Sequence, residues 1–251
     1  MASKRGFLKL LSGHSKKSVV LVMVNSKAAG SQDLGAAAKE NAPARPATKG
    51  NKEFSIIASA GKLLRSAAEC LTNGIIDKTV VNRMMKVLFV ILKDAQVNTA
   101  GVRDITTGPL ELFRNFNFNY QSSLKHIVYR QIKTVINRQD GLVKVDVESI
   151  TPAYDFQITY GATHFQFLST VCEIDFTNGT FKSDLKQTGI IPLQNIDNIG
   201  EINHLHSVSE NCLLPIFIIG ALKFYTQDHG QMRPIIKSDK IPVSILDVDH
   251  V

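Results

Sequence analysis

The apolar residues change their spacing near Gly101, and that change limits what the chain can become. From Phe54 to Asn73 they recur at three and four: Ile56, Ile57, Ala60, Leu63, Leu64, Ala67, Ala68, Leu71. This period lines one side of a helix and leaves Lys62, Arg65 and Glu69 beside the stripe. Asn73-Gly74 supplies a stop. Asp77 is placed to cap a second helix over residues 78–94, whose Val80, Val81, Met84, Val87, Leu88 and Ile91 repeat the pattern. The short join predicts an antiparallel helical hairpin, with Arg83, Lys86 and Lys93 on its solvated side.

Beyond Gly101 aromatic and β-branched residues dominate, at Leu110, Leu112, Phe116, Phe118 and from His126 to Ile136. Further strand candidates are residues 143–147, 156–160, 164–176, 199–208, 213–225 and 243–248, and Asp140-Gly141, Asn178-Gly179 and His229-Gly230 read as short turns. The expected fold is mainly β with an α-helical segment. It is an antiparallel β-sandwich of immunoglobulin-like or jelly-roll type, preceded by a two-helix hairpin and a flexible basic arm. The parts are residues 1–53 (arm and linker), 54–107 (helical hairpin) and 108–251 (sandwich). The segment 213–225 is apolar at both parities, so it belongs at the centre of a sheet or under covering helices.

Within the arm one stretch has strand character: Val19, Val20, Leu21, Val22, Met23 and Val24. Its β-branched apolar run suits pairing with an open sheet edge. The Ala-, Gly- and Pro-containing residues that follow bury too little to offset their ordering entropy, and read as a linker.

Charge is sorted along the chain. Residues 1–139 hold 22 Lys+Arg against 8 Asp+Glu, whereas residues 140–251 hold 7 against 14, within a net charge of +7. The cations of the arm, Lys4, Arg5, Lys9, Lys16, Lys17 and Lys27, are placed to meet phosphates, an anionic surface or an acidic neighbouring subunit. No segment has the roughly 20 apolar residues that a membrane-spanning helix needs. Lys9, Lys16 and Lys17 interrupt the start of a signal-peptide pattern. The expectation is therefore a cytoplasmic protein or part of a phage-like or extracellular assembly.

Motifs for chemistry are sparse. No Gly-Lys-Ser/Thr loop, Gly-x-Ser-x-Gly elbow or His-Glu-x-x-His helix occurs. His204-Leu205-His206, with Glu201 and Glu210 nearby, could present two imidazoles on one strand face. A polar strand face is the simpler reading. Glu173 and Asp175 could likewise be paired carboxylates for acid–base work or calcium, against a solvent-facing alternation. His164 reads as a rim or satisfied core histidine. Cys172 and Cys212 lie in apolar runs as small buried thiols, and only geometry could pair them. No cofactor, metal or catalytic residue is assigned.

Several segments carry a family resemblance: Ala60-Gly61-Lys62-Leu63-Leu64-Arg65, Lys93-Asp94-Ala95, Gly101-Val102-Arg103-Asp104 with Gly108, and Leu110-Glu111-Leu112. Phe116-Asn117-Phe118-Asn119, Thr163-His164-Phe165, Glu173-Ile174-Asp175-Phe176 and Gly220-Ala221-Leu222-Lys223-Phe224-Tyr225 continue it in order. Over roughly residues 59–236 the chain resembles an uncharacterised family of Bacteroidota proteins. The resemblance implies a helical hairpin followed by a β-sandwich, and no activity. Those relatives open on Gly-x-Ile-x-Leu-Lys-Gly, which Gly6-Phe7-Leu8-Lys9-Leu10 through Gly13 echoes only loosely.

The functional expectation is a non-enzymatic structural protein whose partner is itself. It forms a head-to-tail ring or filament through opposite charges and strand addition from the arm. The alternative is a binding module that docks on nucleic acid or another anionic surface through its basic N-terminal part.

Overall fold

The computed structural model describes residues 19–23, 49–97, 102–158, 161–236 and 241–250. It comprises ten strands and five α-helical segments: β1 (Val19–Met23), α1 (Lys49–Ala67), α2 (Glu69–Thr72), α3 (Val80–Asp94), α4 (Leu124–Ile127), β2 (Ile132–Asn137), β3 (Leu142–Val147), α5 (Pro152–Asp155), β4 (His164–Asp175), β5 (Thr180–Gln187), β6 (Ile191–Pro192), β7 (Ile202–Ser207), β8 (Ile216–Asp228), β9 (Gln231–Pro234) and β10 (Val243–Asp249).

Every pairing between these strands is antiparallel. The main sheet runs β1-β5-β4-β8-β10, with β6 added to β4 and β9 to β8. A second sheet runs β2-β3-β7. The expected mainly-β sandwich with a helical segment is the observed architecture.

The long central strands β4 and β8 explain the two-sided apolar pattern, because each of their faces is covered. Leu168, Cys172 and Ile174 of β4, with Phe217, Ile219 and Ala221 of β8, join Leu64, Leu71, Met84, Leu88 and Ile91 of the helices in one core. The opposite parity, Phe165, Phe167, Val171, Ile216, Ile218, Leu222 and Phe224, packs on Val143, Val145 and Val147 of the second sheet. The layers are thus helices, main sheet, small sheet. Each fully buried Leu, Ile or Phe adds on the order of 1.5–3 kcal/mol, so the helices are anchored to the sheet rather than forming a core of their own.

Details depart from the sequence expectation. The first helix begins at Lys49, residues 105–107 at the end of the hairpin part form a 3₁₀ turn, and residues 110–113 are a second 3₁₀ turn rather than strand. Phe156 makes only an isolated bridge to Val128, and residues 159–160 lie outside the described residues. β5 was not anticipated. Its sequence Thr-Phe-Lys-Ser-Asp-Leu-Lys-Gln lacks an apolar alternation, and its register comes from the Asn178-Gly179 turn after β4.

Arg83 is not on a solvated face. Its guanidinium donates to Asp77 Oδ2 and to the Asn117 carbonyl, both at 2.7 Å, and lies 5.1 Å from the Phe116 ring centroid. Asp77 also accepts from Thr79 N–H at 2.7 Å and Tyr120 N–H at 2.9 Å. It therefore ties the entry of α3 to the 116–120 segment instead of acting as a simple cap, and Thr79 holds the N-cap position.

Candidate functional site: the β5 edge and the histidine pair beneath it

β5 lies between β1 and β4, so its outer side is the place where the main sheet accepts β1. The register sets Val19 opposite Leu185, Leu21 opposite Ser183 and Met23 opposite Phe181. This places five of the six residues expected to add as a strand, Val19, Val20, Leu21, Val22 and Met23, on an edge of their own chain's sheet. Val24 lies outside the described residues, as do the arm cations Lys4, Arg5, Lys9, Lys16, Lys17 and Lys27.

The inward face of β5 is held by a polar cluster. On β7 the residues alternate buried and exposed from Ile202, so His204 and His206 point between the sheets with Ile202. The polar-face reading of this pair is thereby corrected: His206 is 0 % and His204 7 % exposed. The parity shared with Ile202 was the available signal. On β4, Ser169 has the parity of Phe167 and Val171 and faces them.

Ser169 Oγ lies 2.6 Å from His204 Nδ1 and 2.8 Å from His206 Nε2. His206 Nδ1 lies 3.0 Å from the Asp184 carbonyl oxygen and 3.5 Å from its Oδ2. A carbonyl only accepts, so His206 Nδ1 carries a proton, and in that tautomer Nε2 accepts the Ser169 hydroxyl proton. Ser169 in turn accepts from His204 Nδ1–H. Every bond in the chain runs one way, and His204 Nε2 is left as a bare lone pair. The atoms at its two ends, His204 Nε2 and Asp184 Oδ1, are both buried without a hydrogen-bond partner.

Electrostatics agree with this order. Burial, reinforced by the charge of Lys186, pushes His204 down to about 4, so it is neutral at ordinary pH. Burial alone would raise the Asp184 carboxyl. Hydrogen bonds from His206 and the Ser207 N–H, with the charge of Lys186, hold it below the usual carboxylate value instead. Serine, histidine and aspartate stand here in the order of a hydrolytic triad. Ser169, however, is 0 % exposed and its hydroxyl is engaged by two imidazoles, so in this arrangement the cluster clamps β5 and β4 to β7.

Cavities flank the clamp. One of about 630 Å³ is lined by Lys186, Gln187, Thr188, Asn203, His204 and Leu205. One of about 200 Å³ lies on the Asp184 side.

Glu173 and Asp175 do not act together. Glu173 is buried, correcting the solvent-facing reading, and accepts from Ser209 N–H at 2.6 Å and Cys212 Sγ at 3.4 Å. Asp175 accepts from the Thr177 and Asn178 N–H groups and fixes the turn into β5. His164 Nδ1 lies 2.9 Å from Thr163 Oγ1, half-buried at the rim. All three cysteines are free. Cys172 faces the helices and Cys212 the Glu173 side of the sheet. Among the described residues no group of three His, Cys, Asp or Glu side chains is arranged to hold a metal ion, and no helix is long and apolar enough to cross a membrane.

The sorted charges partly meet inside the molecule. Arg114 pairs with Asp247 at 2.6 Å, Arg130 with Asp155 at 2.9 Å, Lys133 with Glu148 at 2.8 Å and Arg138 with Asp249 at 2.5 Å. Cations of the basic half thus neutralise carboxylates of the acidic half within one copy.

No family model, no curated protein and no solved structure matches this chain.

Proposed function

We propose that this chain is a non-enzymatic structural protein that self-assembles by strand addition, β1 of one copy pairing with the β5 edge of the next. The supporting observation is that β1 is an outermost strand of the main sheet, separated from α1 by residues 24–48. A backbone ladder reads register and not the identity of the chain that supplies the strand. The 25 residues of that connection can span at most about 85 Å when extended, so chain length does not bar β1 from a neighbouring edge. Donation from copy to copy is heterologous, and yields a ring where the rotation closes and a filament where it does not. Because four ion pairs join the two charged halves internally, the reading rests on the strand and not on charge sorting.

The test compares the full chain with a variant lacking residues 1–46, by mass photometry and electron microscopy over a concentration series. The full chain should form high-mass species and the truncated one a folded monomer. The double substitution Val20→Pro and Leu21→Pro should have the same effect, since at least one lost N–H belongs to the ladder. A full chain that stays monomeric at every concentration, or a truncated one that assembles as before, would sink the proposal.

A further inference from the structure

A second cleft, separate from the β5 edge, opens where the 115–117 segment, the α4–β2 connection and β10 converge. Its volume is about 520 Å³, inside the range of small-molecule sites, and no carboxylate lines it. Lys125, His126 and Arg130 stand around it, and Leu124, Val128, Ile132 and Leu246 supply apolar surface.

Three local features shape this cleft. The pairing of β10 with β8 shifts between Ile245 and Asp247, so Leu246 has no partner and the strand bends there. Asn115, at φ 63, turns the chain so that its N–H donates to the Ile245 carbonyl at 2.9 Å, and the 115–118 segment then runs along β10 as a wall. Gly220 lies beneath: a Cβ there would come within 2.9 Å of Leu246 Cδ1 and 3.1 Å of Leu124 Cδ1. Its missing side chain lets both leucines settle against the main sheet.

The polar groups are oriented for an acceptor. Ser244 Oγ accepts from Leu124 N–H at 3.3 Å and donates its one proton to Asn117 Oδ1 at 2.6 Å. This fixes the Asn117 amide with Nδ2 as its remaining donor. Ser123, also lining the cleft, makes no side-chain cap bond to α4. Arg130 is offset by Asp155, whereas Lys125 has no ion-pair partner among the described residues. One uncompensated cation beside apolar surface matches a monoanion on an apolar body better than a dianion.

We propose that this cleft binds a small organic carboxylate with an aliphatic body, its headgroup at Lys125 and Asn117 Nδ2 and its chain over Leu124 and Leu246. The proposal does not depend on strand addition.

The probes are octanoate and 1-octanol, which share a chain and differ in the headgroup, titrated into the full chain and followed by amide NMR. Octanoate should saturate and shift amides of residues 115–117, 123–131 and 244–246, with 1-octanol at least about tenfold weaker. Lys125→Glu, a surface change, should weaken octanoate about tenfold without moving the melting temperature. Asn117→Leu should also weaken it, and provides a second reading of the headgroup position. The proposal fails if octanoate does not saturate by about 5 mM, corresponding to roughly −3 kcal/mol. It also fails if 1-octanol binds equally well, if the shifts fall elsewhere, or if both variants bind octanoate as the parent does.

Discussion

The Ser169 hydroxyl lies 2.6 Å from Nδ1 of His204, although the two residues belong to different sheets. With His206 at 2.8 Å on its other side, this one hydroxyl joins two imidazoles across the sandwich. The strand it supports through Asp184 is β5, the acceptor of β1.

Removing that hydroxyl strands two buried ring nitrogens at once. Ser169→Ala should therefore lower stability by about 2–4 kcal/mol, well above the usual cost of losing one exposed hydrogen bond. Urea unfolding of parent and variant measures it. A loss under about 0.5 kcal/mol would show that the bridge contributes nothing net.

Acid should weaken the fold through His204. Its folded value of about 4 lies below the ordinary histidine value of 6.5, so the unfolded chain takes up the proton first as pH falls. The stabilisation is complete above pH 6.5 and is lost as pH drops toward 4, by on the order of 3 kcal/mol. The stability–pH slope of parent against His204→Gln isolates this group, and identical slopes would refute it.

Asp77 acts in a lower window. Burial opposes its ionisation, but hydrogen bonds from Thr79, Tyr120 and Arg83 hold the carboxyl at about 2, below 3.8. Its contribution is present above pH 3.8 and disappears as pH falls through 2. Asp77→Asn should cost about 1–3 kcal/mol at neutral pH by leaving Arg83 without its anion. Thermal unfolding at pH 7 is the check, and an unchanged midpoint would argue against this role.

Gly108 is a packing requirement. A Cβ there would lie 2.5 Å from the Ile91 carbonyl oxygen, at the C-terminal end of α3, where backbone cannot yield as a flexible side chain does. Gly108→Ala should destabilise by about 3 kcal/mol or more. Gly189→Ala, with open space around the added methyl, is the matched control and should stay within about 0.5 kcal/mol.

Local chemistry alone settled much of this protein. The three-and-four spacing of Leu64, Leu88 and Ile91 specified the helices, the two-sided apolar run around Ile218 marked a central strand, and Asp140-Gly141, Asn178-Gly179 and His229-Gly230 marked turns, because these signals act between near neighbours. Only the tertiary structure decided that β5 is a strand, that His204, His206 and Glu173 are buried, and that Arg83 is enclosed by Asp77, Asn117 and Phe116. A polar residue looks the same in sequence whether water or a partner in another sheet satisfies it. Which of the two applies is set by contacts between residues far apart in the chain, such as Ser169 with His204, and those exist only once the layers have packed.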